Sequence, residues 1–266
     1  MGVINITPDS FYAGSRVENT EQILQEVAKM VKEGADIIDV GGQSTRPGSK
    51  PLSANEEWDK IRLPLHQIVQ TFPNTIISVD TYQSRVAENA LQAGVHIIND
   101  ISAGEMDSEM LSTVAHFGAP YICMHMQGRP ETMQQNPHYK NVTAEVIQYL
   151  AQRIDICLQA GIKDIIVDPG FGFGKTISHN LELLYNLSAL QMLNHPVLVG
   201  LSRKSTIYKT LGISASESLN GTTVLNTIAL MRGVQFLRVH DVAEAREAVI
   251  LTEAIKKAAQ INSAAN

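Results

Sequence analysis

Only two cysteines occur in the 266 residues, Cys123 and Cys157. They show neither a pairing framework nor metal-ligand spacing, so both read as reduced core residues and a disulfide-stapled secreted domain is excluded. Long hydrophobic runs are missing too. No stretch of about 18 apolar residues occurs, and the start has no cationic region leading into an apolar core, so neither a membrane span nor a signal peptide is expected. The expectation is a soluble, cytoplasmic protein. Basic charge is in short supply: 21 Lys and Arg stand against 27 Asp and Glu, a net charge of −6 without any run of like sign. Nucleic-acid binding needs a basic stripe, so none is expected, and any bound anion must be held by a local cluster. Internal repeats and low-complexity tracts are absent, and no Gly-rich dinucleotide turn follows the first apolar run.

What is present is a repeated unit. Runs of strand character recur eight times, at Val3–Ile4, Ile37–Val40, Ile76–Val79, Val95–Ile98, Tyr121–Met124, Ile165–Val167, Val197–Val199 and Phe236–Val239. Helical patterns lie between most of them. The first is signalled by Asn19 or Thr20 as N-cap, by Ile23, Val27, Met30 and Val31 at helical spacing, and by Gly34 just past its end; Gly94, Gly118 and Gly161 mark further stops. Continuous β-branched runs are buried on both faces, and strand–helix repetition makes them parallel. Eight units predict an α/β chain folded as a single-domain (β/α)8 TIM barrel over residues 1–258, with the Ala-, Asn- and Ser-rich residues 259–266 expected to fray. A doubly wound open sheet is the alternative.

Polar clusters directly follow several of these runs: SVDT at 78–81, DPGFGFGK at 168–175 and GLSRKS at 200–205. Strand ends are where such a fold keeps its chemistry, so Asp80, Asp168 and Lys204 converge on a ligand with several N–H donors and acceptors. Asn99, after the neighbouring strand, joins Asp80, and carboxylate beside carboxamide suits an aminopyrimidinone edge. Each also has a plainer reading, as the cap of a βα turn. Lys204 is either a Schiff-base nucleophile or a hydrogen-bonding cation, and spacing does not separate the two. Arg238 and His240, two residues apart on the last run, share one face as an anion clamp. Arg46 adds a guanidinium, and Asn5 offers an oxygen suited to Mg²⁺. These groups together point to a phosphate or pyrophosphate. Met124 can floor a ring, and His125 beside it either lines the cavity or packs in the core. Two polar loops, 5–20 and 41–53, have the profile of substrate covers.

Eight motifs in order carry a resemblance: NITPDSF at 5–11, GGQSTRPG at 41–48, SVDT, IINDI at 97–101, MHMQG at 124–128, DPGFGFGK, GLSRKS and RVHDV at 238–242. Together they resemble the dihydropteroate synthase family over about residues 1–255. The resemblance implies a barrel that joins 4-aminobenzoate to 6-hydroxymethyl-7,8-dihydropterin pyrophosphate in folate synthesis, by an SN1-like substitution assisted by Mg²⁺. It places Asp80, Asn99, Asp168 and Lys204 in the pterin pocket, with Met124 and Ile101 against the ring and Arg238 stacking on it or bridging to phosphate. Asn5, Arg46, Arg238 and His240 fall in the pyrophosphate site, with Mg²⁺ at Asn5. Phe11, Thr45, Pro47, Phe173, Lys204 and Ser205 fall in an aminobenzoate pocket that sulfonamides imitate. Asp80, Asp168, Lys204 and Arg238 are the implied catalytic set, and a homodimer through late helices is implied as well.

The chain departs from the family pattern at Tyr12, Ala13 and Ser15, where a further acidic residue and two glycines are usual. Gln43 stands where glutamate is usual, Tyr82 where a small residue is, and the chain begins almost inside its first strand. Two other functions use a similar site: a pterin-binding methyltransferase domain, and a pterin-binding protein that has lost catalysis.

Overall fold

Each apolar run forms a parallel strand, and helices carry the chain back between them. In the computed structural model, which describes residues 1–6, 16–43 and 50–264, the order is β1 (Gly2–Asn5), α1 (Arg16–Lys32), β2 (Ile37–Gly41), α2 (Ala54–Thr71), β3 (Ile76–Asp80), α3 (Ser84–Gln92), β4 (Ile97–Asp100), α4 (Met110–Phe117), β5 (Tyr121–Met124), α5 (Val142–Gln159), β6 (Ile165–Asp168), α6 (Ile177–Tyr185), β7 (Leu198–Val199), α7 (Ser205–Leu211), α8 (Leu219–Met231), β8 (Phe236–Leu237) and α9 (Val242–Ala264). Strands β1 to β6 pair in chain order as one sheet, and β7 pairs with β8. Single parallel bridges, Val167 to Val197 and Gly2 to Val239, join the two sheets. At the second seam Val3 N–H donates to the Val239 carbonyl at 3.0 Å and Val239 N–H to that of Met1 at 2.9 Å. The strands therefore go once round a ring, as the eightfold pattern predicts, with two seams each one bridge wide.

Alternation along each strand separates two apolar layers. Ile38, Val40, Ile77, Val79, Ile98, Cys123 and Val167 face outward into the main core under the helices. Ile37, Ile97, Ile122, Ile166 and Leu198 face inward and, with Met1 and Phe236, fill the lower end of the barrel. One step up each strand, on the same inward face, stand Asp39, Asn99, Met124, Asp168 and Arg238.

Gly34, Gly94, Gly118 and Gly161 all take positive φ, so the helices stop where the glycines forecast. Boundaries differ elsewhere. Helix α1 begins at Arg16, which places Asn19 and Thr20 inside it, and Thr20 is buried there. Strand β4 starts at Ile97, not Val95, because Val95 N–H closes the preceding helix on Ala90 O and the His96 ring accepts the Ile77 amide through Nδ1 at 3.1 Å. Helix α9 runs from Val242 to Ala264. Helix α2 opens on a capping box in which Ser53 and Glu56 bond each other's backbone, ending the second long loop.

Candidate active site

The inward polar residues meet at the upper end of the strands. Asp80 lies opposite both Gly41 and Asn99 in register, and Met124 lies opposite Asp168. Arg238 links them: Nε donates to Asp39 Oδ2 at 2.6 Å and Nη2 to Asp80 Oδ2 at 2.8 Å. Asn99 Nδ2 donates to the same Asp39 oxygen at 3.1 Å. Asp39 is wholly buried, whereas 16% of the Asp80 side chain is open. Burial raises the Asp80 carboxyl to about 7, with Arg238 opposing and Asp39 adding to the rise. Burial also works against the charged guanidinium, yet Asp39 and Asp80 hold the Arg238 pKa above its ordinary value. The partners agree physically, because one guanidinium between two carboxylates neutralises only one negative charge.

A pH dependence follows. Asp80 has a folded pKa above its unfolded one, so its contribution to stability is full below about 4 and is lost as pH rises through about 7. Asp100, Asp168 and Glu57 are raised by burial in the same direction. Unfolding in urea at pH 5 and pH 8 should give lower stability at the higher pH, and Asp80→Asn should shrink the difference. An unaltered difference in the variant would exclude Asp80 as a source.

Asp168, 6% exposed, accepts the Gly170 amide on Oδ1 at 2.7 Å. It therefore holds its own turn and does not cap the next helix, whose N-cap is Thr176. Lys204 Nζ donates to the Phe171 carbonyl and lies 4.8 Å from the Phe173 ring centroid. Burial lowers its pKa to about 8, with Asp168 opposing, so the ammonium still dominates near neutrality. That favours a hydrogen-bonding cation over an amine nucleophile. Asn5 is exposed at the rim, and a Cβ on Gly41 would lie 3.6 Å from its Oδ1 and 3.5 Å from Asp80 Cβ. Ile101 and Met124 are buried, and Ser205 opens α7 half-buried.

Arg238 and His240, expected as an anion clamp, have partners of their own within the fold. Both Arg238 bonds go to carboxylates, because Asp39 shares the inward layer, so its charge is already matched within the protein. His240 Nδ1 lies 3.0 Å from Ser202 Oγ, and desolvation followed by the charge of Arg238 lowers its pKa, which makes it a neutral hydrogen-bonding group. His125 is buried and its ring packs against Tyr139 and Tyr149. Phe11, Thr45, Arg46 and Pro47 lie outside the described residues. Two residues escaped the sequence reading. Asp39 carried a usable signal, a carboxylate two residues beyond Ile37 in an otherwise apolar strand; Lys175 had none beyond its place in a glycine-rich segment.

A family model described as pterin binding enzyme matches residues 1–240. The dihydropteroate synthase of Escherichia coli strain K12 is 43% identical over 256 residues, which is 96% of this chain and 90% of that protein. This chain belongs to the dihydropteroate synthase family. The solved Yersinia pestis dihydropteroate synthase in a sulfonamide drug complex superposes with a TM-score of 0.90 at 40% identity, covering 97% of this chain and 93% of that one. The Thermus thermophilus dihydropteroate synthase in complex with 4-aminobenzoate gives 0.86 at 40% identity, covering 96% and 93%. Like other dihydropteroate synthases, this chain is a pterin-binding transferase of folate biosynthesis, which sets aside the methyltransferase reading. Among the described residues, no helix is long and apolar enough to cross a membrane.

Proposed function

We propose that the chain joins 4-aminobenzoate to 6-hydroxymethyl-7,8-dihydropterin pyrophosphate, releasing pyrophosphate and 7,8-dihydropteroate. The observation that carries this reading is the pairing of Asp80 with Asn99 in register, with Lys204 in the fields of Asp168 and Asp80, an acceptor and donor set complementary to an aminopyrimidinone edge. Pyrophosphate leaves with the electrons of its carbon–oxygen bond, and the pterin-methyl cation that remains lies within the field of the Asp168 carboxylate. The neutral arylamine captures the cation and loses its proton after the bond forms. No strong general base is required.

The leaving diphosphate asks for more positive charge than a matched Arg238 and a neutral His240 supply. Mg²⁺ fits here: it favours a few oxygen ligands and keeps its waters, and the exposed Asn5 carboxamide offers one such oxygen beside Asp80. When bound it would neutralise charge on the leaving group. Among the described residues no group of three or more acidic, His or Cys side chains is placed to hold a metal ion. Arg46 is the remaining guanidinium assigned to the diphosphate, and Phe11, Thr45, Pro47, Phe173 and Ser205 complete the aminobenzoate pocket.

The deciding measurement is pyrophosphate release with and without 4-aminobenzoate. Release that depends on the amine supports the synthase, whereas tight pterin binding without product points to a binding protein. Asp168→Asn is expected to weaken pterin binding by roughly 1–3 kcal/mol, the usual loss for a buried charge-assisted hydrogen bond. Unchanged affinity by calorimetry would remove Asp168 from the pocket.

The synthase is also assigned to the cytoplasm as a homodimer. Two buried free cysteines suit a reducing compartment. Val224, Ile228 and Met231 line one face of α8 and are exposed, next to exposed Ile250, Leu251 and Ile255 on α9. Sedimentation equilibrium showing only monomer would refute the dimer.

A further inference from the structure

Lys175 ends the glycine-rich segment after β6 and is 3% exposed. Burial lowers its pKa to about 7, with Asp168 opposing, and in the ammonium form its three donors match three acceptors, His125 Nδ1 at 2.9 Å, the Gly170 carbonyl at 2.9 Å and the Phe173 carbonyl at 3.0 Å. Two acceptors belong to its own loop and the third to the segment after β5. These two segments approach closely: with φ of +62°, Gly174 would place a Cβ 2.3 Å from the Gln127 carbonyl oxygen. The His125 ring stands edge-on to Tyr149, centroids 4.9 Å apart at 88°. Since Nδ1 accepts from an ammonium, the ring proton belongs on Nε2. Burial, then the charge of Lys175, lowers the His125 pKa to about 2, so the ring stays neutral.

We infer that Lys175 is a positioning residue for the transfer: by fastening the β6 loop to the end of β5, it sets the Phe171 carbonyl and the Phe173 ring that aim Lys204. This rests on the function proposed above. The carbonyls of Gly170 and Phe173 bracket the stretch in question, so their shared donor holds both of its ends. Between them, Phe171 O accepts Lys204 Nζ and the Phe173 ring lies beneath the same atom. Gly172 N–H is fixed separately to Asn180 Oδ1 at 2.8 Å. Asp80 and Asn99 stand on strands and do not depend on this tie. The loop side of the site does.

Steady-state kinetics of Lys175→Met in the presence of Mg²⁺ test the inference. The KM for 4-aminobenzoate should rise at least tenfold, about the factor for one lost hydrogen-bonding contact, while calorimetric pterin affinity, which Lys204 shares with the strand-borne Asp80 and Asn99, falls by a smaller factor and kcat is held to roughly threefold. Equal loss in all three, or no change in any, overturns it. A second measurement needs no variant: ring-nitrogen NMR of the unaltered protein labelled in histidine should show His125 neutral with its proton on Nε2 from pH 5 to 6.5, where Lys175 is mainly an ammonium. A ring that titrates near the ordinary value of about 6.5, or carries its proton on Nδ1, overturns the tie even if Lys175→Met fails to fold. Failure of the unaltered protein to release pyrophosphate with both substrates would instead count against the proposed function, and the NMR result would stand by itself.

Discussion

Replacing Arg238 with methionine is expected to lower the unfolding free energy by about 3–5 kcal/mol, the range for breaking a buried ion pair by removing one partner. Asp39 has no exposed side-chain surface and loses its 2.6 Å bond, while Asp80 loses its 2.8 Å bond. Two carboxylates then face each other in the barrel without a cation. The deficit should shrink at acid pH, where protonation of Asp80 relieves the repulsion. Urea unfolding at pH 8 and pH 5 measures both effects. Adding Asp39→Asn to the variant removes one orphaned charge, and recovery of more than about 1 kcal/mol over the single variant would mark the two sites as coupled. A single variant within about 1 kcal/mol of the parent would refute the network.

Gly170→Ala is expected to be nearly as damaging. Gly170 has φ of +68°, and an added Cβ would lie 1.9 Å from the His125 carbonyl oxygen, a backbone atom that cannot swing aside. The left-handed conformation costs roughly 1–2 kcal/mol for alanine and overpacking about 1–3 more, so a loss of about 2–5 kcal/mol is expected. Asp168 caps this same peptide, so pterin affinity should fall with stability. Calorimetry alongside urea unfolding checks both, and an alanine variant that keeps parental stability would show that the loop can lift off β5 without cost.

The site was partly legible beforehand. Asp80, Asn99, Asp168 and Arg238 were readable because each ends an apolar run, and strand ends gather chemistry in any parallel barrel. The same logic paired Arg238 and His240 as an anion clamp without their partners. Their shared face was correct in outline, but facing partners on other strands decide what a cation is free to do. Lys204 was left between two roles, and its place over Phe173 beside Phe171 O favours one of them. His96 accepts a strand amide, and side-chain acceptors at strand ends are invisible to periodicity.

Strand and helix alternation, the eightfold count and the glycine stops were determined by the sequence itself, since each depends on neighbours a few residues apart. The motifs likewise named the chemistry to expect. Only the tertiary structure decided that Arg238 answers to Asp39, 199 residues away, and that Lys175 ties to His125, 50 residues away. The physical reason is that ring closure and strand register, rather than any local preference, determine which inward side chains come within hydrogen-bonding distance of one another.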